Sequence, residues 1–227
     1  MNKNKILIIA AHPDDEILGC GGSVVRLIQQ GWEAYTLILG EGITSRDKER
    51  KKDLREKEIK KLREQALRAN QILGVKEVFF CNFPDNRFDS VGFLDIVKEI
   101  EEVKQKINPD IVFTHSRGDL NIDHQITYKA TITAFRPLPE EEVKEIYSFE
   151  ILSSSEWNFP YSFFPSAYFD ISETIELKLK AMAEYTSEIR EFPHPRSLEG
   201  IKIKARQRGM EVGCLCAEAF EVVRILK

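Results

Sequence analysis

From position 5 to position 135, short apolar runs alternate with longer segments of helical period, and each run empties into a loop rich in Pro, Gly or acidic residues. Residues 5–10 read as a strand in which every position after Lys5 is apolar, without the polar alternation of a half-exposed strand, as expected of a strand covered on both faces. Residues 34–39, 78–81 and 111–114 read as further strands. Residues 17–30, 47–73, 91–107 and 125–135 read as helices, the second ended by Gly74, which suits a helix C-terminus. Strands that alternate with helices in this way build an α/β fold: a Rossmann-like, mostly parallel sheet with helices on both faces. Beyond position 135 the pattern changes. Residues 145–152, 167–170 and 219–225 have strand character, and 172–187 and 198–208 helical character. No linker, repeat or low-complexity stretch interrupts the chain, so one domain over 1–227 is expected, with a Rossmann-like core over about 1–135 and a C-terminal extension over about 136–227.

Composition narrows the function classes. With 227 residues, 42% of them hydrophobic, the chain can bury a sizeable core. Lys and Arg number 33 against 37 Asp and Glu, a net charge of −4, which gives no global attraction to nucleic acid or to an anionic membrane. The apolar run at 6–11 is far too short to span a bilayer or serve as a secretory signal. Cys20, Cys81, Cys214 and Cys216 are scattered among apolar neighbours, with no second pair to complete a zinc site around Cys214 and Cys216. Reduced thiols and a cytoplasmic location are expected.

In open α/β sheets, sites form where the C-terminal ends of strands release their loops. The loops at 11–16, 40–47, 82–90 and 115–124 qualify. The first reads Ala11-His12-Pro13-Asp14-Asp15-Glu16. Adjacent carboxylates beside a histidine repel one another unless a cation is present. One of Asp14 and Asp15 can ligate a metal while the other faces the water it activates. A capped turn leading into the next helix would use the same residues. The fourth-strand loop favours the metal, because it supplies Asp123-His124 at the same sheet edge. Two imidazoles and a carboxylate, with a position left open, make a hydrolytic zinc set. Gly19-Cys20-Gly21-Gly22 lacks the spacing of a dinucleotide-binding fingerprint, and its glycines are better explained by close packing beneath the site.

The stretches ILIIAAHPDDEILGCGG and PDIVFTHSRGDLNIDHQIT resemble the two signatures of the LmbE-like (PIG-L) deacetylase family, in order and in strand–loop context, up to about Phe135. That resemblance implies a zinc-dependent hydrolase that removes the N-acetyl group from an amino sugar of N-acetylglucosamine type. It implies Zn2+ held by His12, Asp15 and His124. Asp14 would be the general base that takes the proton from the zinc-activated water and returns it to the leaving amine. It also implies a sugar-binding role for Asp85, a small-molecule amino-sugar partner, and a homo-oligomer, trimer or hexamer.

The chain departs from the family pattern at Asn121, where many relatives carry the first His of His-Pro-Asp-His. An Asn amide can still donate to an oxyanion, although it carries no titratable proton. His115 and His194 are the remaining histidines that could replace the lost imidazole. His194 lies in the proline-stiffened run Phe192-Pro193-His194-Pro195-Arg196-Ser197, while His115 reads equally well as a strand-end histidine bonded to backbone. Asp123 is expected to orient a ligand from behind. Arg46 and Arg87 are candidate sugar contacts beside Asp85, or surface charges. Trp157, Phe159, Tyr161, Phe163 and Phe164 could stack on a sugar or pack in a core or subunit contact. Two other functions stay open: an amidase acting on another acylated metabolite, and a catalytically silent binding module.

Overall fold

The computed structural model describes residues 3–46, 50 and 52–227; of Arg46 and Lys52 it describes the backbone alone. The expected helix start at Asp47 lies outside the described residues. The elements are β1 (Lys5–Ala10), α1 (Asp15–Gln29), β2 (Glu33–Gly40), α2 (Lys52–Leu73), β3 (Glu77–Phe83), α3 (Phe93–Ile107), β4 (Ile111–His115), α4 (Ile122–Ala134), β5 (Glu145–Phe149), β6 (Ala167–Asp170), α5 (Ile175–Ala183), α6 (Leu198–Val212) and β7 (Ala217–Ile225).

All these strands join one sheet in the order β3-β2-β1-β4-β5-β7-β6. Strands β1 to β5 are mutually parallel, and β7 runs antiparallel between β5 and β6. The parallel part thus continues past Phe135 to β5, and the last strands close one edge.

Strand β1 shows why its sequence is apolar without alternation. Successive side chains point to opposite faces. Ile6, Ile8 and Ala10 therefore enter one core, with α1, α2, α5 and α6, while Leu7, Ile9 and Ala11 enter the other, with α3 and α4. Both faces are covered, and each fully buried Ile or Leu contributes about 1.5–3 kcal/mol. Helix α2 is highly charged, yet it buries Ile59, Leu62, Ala66, Ala69 and Leu73 at spacings of three and four along one stripe.

Helix α1 is buried nearly all round, which only small residues permit. A Cβ on Gly19 would stand 2.4 Å from the Phe149 ring, and one on Gly22 would stand 2.9 Å from Ile171. The glycines of Gly19-Cys20-Gly21-Gly22 are thus packing residues, as expected. Beneath α1, Glu218 accepts from the backbone N–H groups of Gly22 and Ser23, and Lys178 Nζ bridges Glu218 and the Leu18 carbonyl.

Two boundaries differ in ways that matter for the site. Helix α4 begins at Ile122 rather than 125, because Asn121 caps it by accepting from the Asp123 N–H at 2.8 Å. Asp123 and His124 therefore sit on the first helical turn, not in a loop. The strand expected over 145–152 stops at Phe149, and the following residues turn into the cavity described next.

Candidate metal centre

The C-terminal ends of β1 to β5 open into one cavity of about 230 Å³. The β1 loop contributes His12, Asp14 and Asp15, the β2 loop Ser45, the β3 loop Asp85 and Asn86, and the start of α4 Asn121 and His124. Ser153 and Ser154 after β5 line it as well, with Glu188, Arg190 and Arg196 from the C-terminal third.

One donor atom from each of His12, Asp15 and His124 lies within 4.8 Å of the others. Asp15 Oδ2 stands 3.4 Å from His12 Nδ1 and 3.3 Å from His124 Nε2. The opposite ring nitrogens face carboxylates. His12 Nε2 is 3.0 Å from Asp123 Oδ2, and His124 Nδ1 is 3.0 Å from Asp119 Oδ1. A histidine with its proton turned towards a carboxylate presents its other nitrogen as a lone pair, the form a metal binds. Asp123 is itself fixed by the Phe88 N–H at 2.9 Å, and Asp119 by the Asn121 N–H at 2.8 Å and the hydroxyls of Ser154 and Ser155.

The electrostatics call for a cation. Asp14, Asp15, Glu16, Asp85, Asp119 and Asp123 are all buried within this cluster. For His12, burial opposes the charge, but hydrogen bonds to Asp123 and Asp15 outweigh it and raise the pKa well above the ordinary value. For His124, burial is likewise outweighed, chiefly by the Asp15 charge and by Asp119, and the pKa rises to about 9. Burial opposes ionisation of Asp15 too, yet the His124 and His115 imidazoles hold it well below the usual carboxylate range. Buried acids that draw protons onto neighbouring imidazoles fit a divalent metal, which neutralises the same carboxylates directly.

Asp14 is set apart from this group. Its backbone has φ 110°, a left-handed conformation that costs a non-glycine residue about 1–3 kcal/mol. Its N–H donates to Glu16 Oε2 at 3.0 Å, and Asn70 and Tyr185 hold Glu16 in turn. The Asp14 side chain accepts from Arg196 Nη1 at 3.0 Å. Burial pushes its pKa well above the ordinary value despite Arg196. A carboxylate at the cavity wall with a raised pKa can take and release a proton.

The other expected residues divide. Asp85 lines the cavity, held by the Ser45 N–H at 3.0 Å and the Asn86 amide at 3.0 Å. Asn121 lines it too, but its amide nitrogen already donates to Asn86 Oδ1 at 2.7 Å while its oxygen caps α4, so one N–H is left for any donor role. Arg87 is not among the lining residues. The Arg46 side chain lies outside the described residues.

His194 does not line the cavity; its Nδ1 accepts from the Arg196 N–H at 3.1 Å and its ring meets Trp157 edge-on. The expectation that it adds an imidazole to the site is corrected: the turn that carries it delivers Arg196 instead. His115 is fully buried, with Nε2 accepting from the Ala11 N–H at 2.9 Å, as a strand-end histidine bonded to backbone. Of the aromatic run, Phe163 is core, whereas Phe159 and Phe164 are exposed.

Asp119, Glu16 and Arg196 were not singled out from the sequence. Asp119 stands in the second motif and Arg196 in the flagged proline-bounded run, but nothing in their spacing gives the direction of either side chain.

Comparisons with known proteins identify the family and the fold. The family model described as GlcNAc-PI de-N-acetylase, PIG-L, matches residues 7–135. The chain is 31% identical to an uncharacterized deacetylase, YaiS, of Escherichia coli K12, over 82% of this chain and 93% of that one. It is 28% identical to the diacetylchitobiose deacetylase of Thermococcus kodakarensis, over 82% of this chain and 71% of that one. Among solved structures, the fold superposes on N,N'-diacetylchitobiose deacetylase from Pyrococcus horikoshii with a TM-score of 0.78 at 22% identity, covering 98% of this chain and 85% of that one. Among the described residues no helix is long and apolar enough to cross a membrane. With the HPDD loop, the opposed histidine and the sheet order all in place, the chain belongs to the PIG-L family of de-N-acetylases.

Proposed function

We propose that this protein is a zinc-dependent hydrolase that removes the acetyl group from an N-acetylated amino sugar of N-acetylglucosamine type. The observation that carries the reading is the convergence of donor atoms from His12, Asp15 and His124 within 4.8 Å at a cavity wall shared with Asp14. These residues would hold the metal, and Asp123 and Asp119 would keep the imidazoles in the ligating tautomer. When bound, zinc supplies Lewis acidity towards the amide carbonyl and lowers the pKa of water towards about 7.

The remaining chemistry belongs to the chain. Asp14 takes a proton as the water oxygen bonds to the acetyl carbon, then delivers it to the sugar nitrogen as the C–N bond breaks, leaving acetate and a free amine. The N–H of Asn121 not bonded to Asn86 is the side-chain donor available to the developing oxyanion. Asp85 and Asn86, at the same wall, suit sugar hydroxyls. The substrate class rests on relatives named as deacetylases of acetylated sugars, among them the diacetylchitobiose enzyme.

The test measures acetate release from N-acetylglucosamine, its conjugates and N,N'-diacetylchitobiose, with zinc-loaded and chelated protein. Zinc-dependent acetate from at least one supports the reading. Release from none of them, with zinc stoichiometrically bound, overturns it in favour of another amide or a silent module. By the family resemblance the protein would assemble as a trimer or hexamer, and sedimentation of the purified chain tests this, a monomer overturning it.

A further inference from the structure

We infer that Arg196 is a positioning residue for the hydrolysis, holding the Asp14 carboxylate in the orientation from which it takes and returns the proton. The inference rests on Asp14 being the general base.

The main chain of Asp14 is already fixed by its left-handed φ of 110° and by its N–H bond to Glu16. That leaves the side-chain torsions, and a lone carboxylate in this place is pushed about. Asp15, Glu188 and Glu16 all act on it with like charge, and burial removes the water that would screen them. Against them stands the Arg196 guanidinium, whose Nη1 donates to Asp14 Oδ2 at 3.0 Å. One oxygen is thereby anchored, and the carboxylate keeps a second to exchange the proton.

The local structure around Arg196 is built to deliver it. The His194 ring accepts the Arg196 N–H, and the Ser197 N–H donates to the His194 carbonyl at 2.9 Å. Ser197 Oγ then accepts from the Gly200 N–H at 2.9 Å and caps α6. Gly200 has no room for a side chain, since a Cβ there would stand 2.5 Å from the Pro195 carbonyl oxygen. The turn is thus locked onto the start of α6, and its one long cationic side chain reaches back to a residue 182 positions earlier. This accounts for the His194-Pro195-Arg196-Ser197 run, which the metal ligands and Asp14 leave unexplained.

The experiment compares wild type, Arg196→Ala, Arg196→Lys, Asp14→Asn and the Arg196→Ala/Asp14→Asn double variant, zinc-loaded, with N,N'-diacetylchitobiose and N-acetylglucosamine as probes. Arg196→Ala is expected to lower kcat by about 10²-fold, the scale on which a misplaced catalytic group costs rate, with KM little changed. Arg196→Lys should lie between, and guanidinium at sub-denaturing concentration should restore part of the Arg196→Ala loss. In the Asp14→Asn background, Arg196→Ala should cost nothing further, because it acts through the group already removed. Thermal unfolding of the single and double variants without metal or substrate should show non-additive changes in Tm, which reports the pair independently of turnover. A raised KM with kcat intact, losses that multiply in the double variant, or additive Tm changes would each overturn the inference. Wild-type turnover by Asp14→Asn would instead remove the base assignment, and the inference with it.

Discussion

His12 Nε2 lies 3.0 Å from Asp123 Oδ2, and this contact turns His12 Nδ1 towards Asp15 and the cavity. The Phe88 N–H holds the other Asp123 oxygen, so the carboxylate is pinned from behind and the imidazole from in front. The candidate ligand His12 is thus oriented by a residue outside the converging set of His12, Asp15 and His124.

Asp123→Asn is accordingly expected to lower zinc affinity by about 10- to 100-fold, the usual consequence of removing the carboxylate behind a ligating histidine. Competition against a chromophoric chelator measures this. Unchanged affinity would show that the Asp123 charge is not needed to orient His12.

Metal binding and pH should be linked through His124. Its folded pKa, about 9, exceeds the ordinary 6.5. The stabilisation from its protonation is therefore complete below about pH 6.5 and lost as pH rises through about 9. Metal-free protein should melt at a lower temperature at pH 9.5 than at pH 7. Glu16, raised to about 7 by burial against the bond from Tyr185, adds to the fall at the lower end of that window. Zinc has to displace the His124 proton, so uptake at pH 7 should release protons, and affinity should climb with pH up to about 9. Calorimetry in buffers of differing ionisation enthalpy counts the protons; none released would contradict the assignment of His124 as a ligand.

Asp14→Asn should keep the metal, since Asp14 is not among the converging donors. Its turnover should fall on the order of 10²–10⁴, the range for a lost general base. Metal content and kcat measured on one preparation separate the two effects.

Asn121 has two tasks that a substitution can divide. Asn121→Ser keeps an oxygen that can cap α4 but removes the amide donor, so stability should change by only a few tenths of a kcal/mol while kcat falls. Asn121→Ala should lose both, with about 1 kcal/mol of stability. Equal kcat in wild type and Asn121→Ser would leave capping as the whole role of this residue.

Beneath the site, Gly19→Ala should destabilise the fold by about 1–3 kcal/mol through overpacking against Phe149. Urea unfolding of the metal-free variant reads this directly, and wild-type stability would mean that β5 yields at little cost.

Much of this protein was legible along the chain. The unbroken apolar run from Ile6 to Ala10 in β1 specified a strand covered on both faces, because a polar side chain at those positions would be buried without a partner. The HPDD loop called for positive charge, because adjacent buried carboxylates repel one another, and the Asp123-His124 pair then favoured a metal over a capped turn. The positions of His12 and His124, each in the segment that follows a parallel strand, were enough to expect them at one sheet edge.

Tertiary structure decided the rest. Residues 194 and 196 are near neighbours in a proline-bounded turn, and sequence alone favoured the histidine for its chemistry. The fold engages the half-buried His194 ring with the Arg196 N–H, within its own turn, and sends the arginine 3.0 Å from Asp14. Asp119 was likewise indistinguishable from an ordinary loop acid, and although Asp123 was expected to orient a ligand, only the fold shows that it backs His12 while Asp119 backs His124. Residue type determines which chemistry a loop can perform. Which side chain faces the cavity is set by hydrogen bonds and packing in three dimensions, some local, as at the Asn121 cap, and some between segments more than a hundred residues apart, as from Arg196 to Asp14.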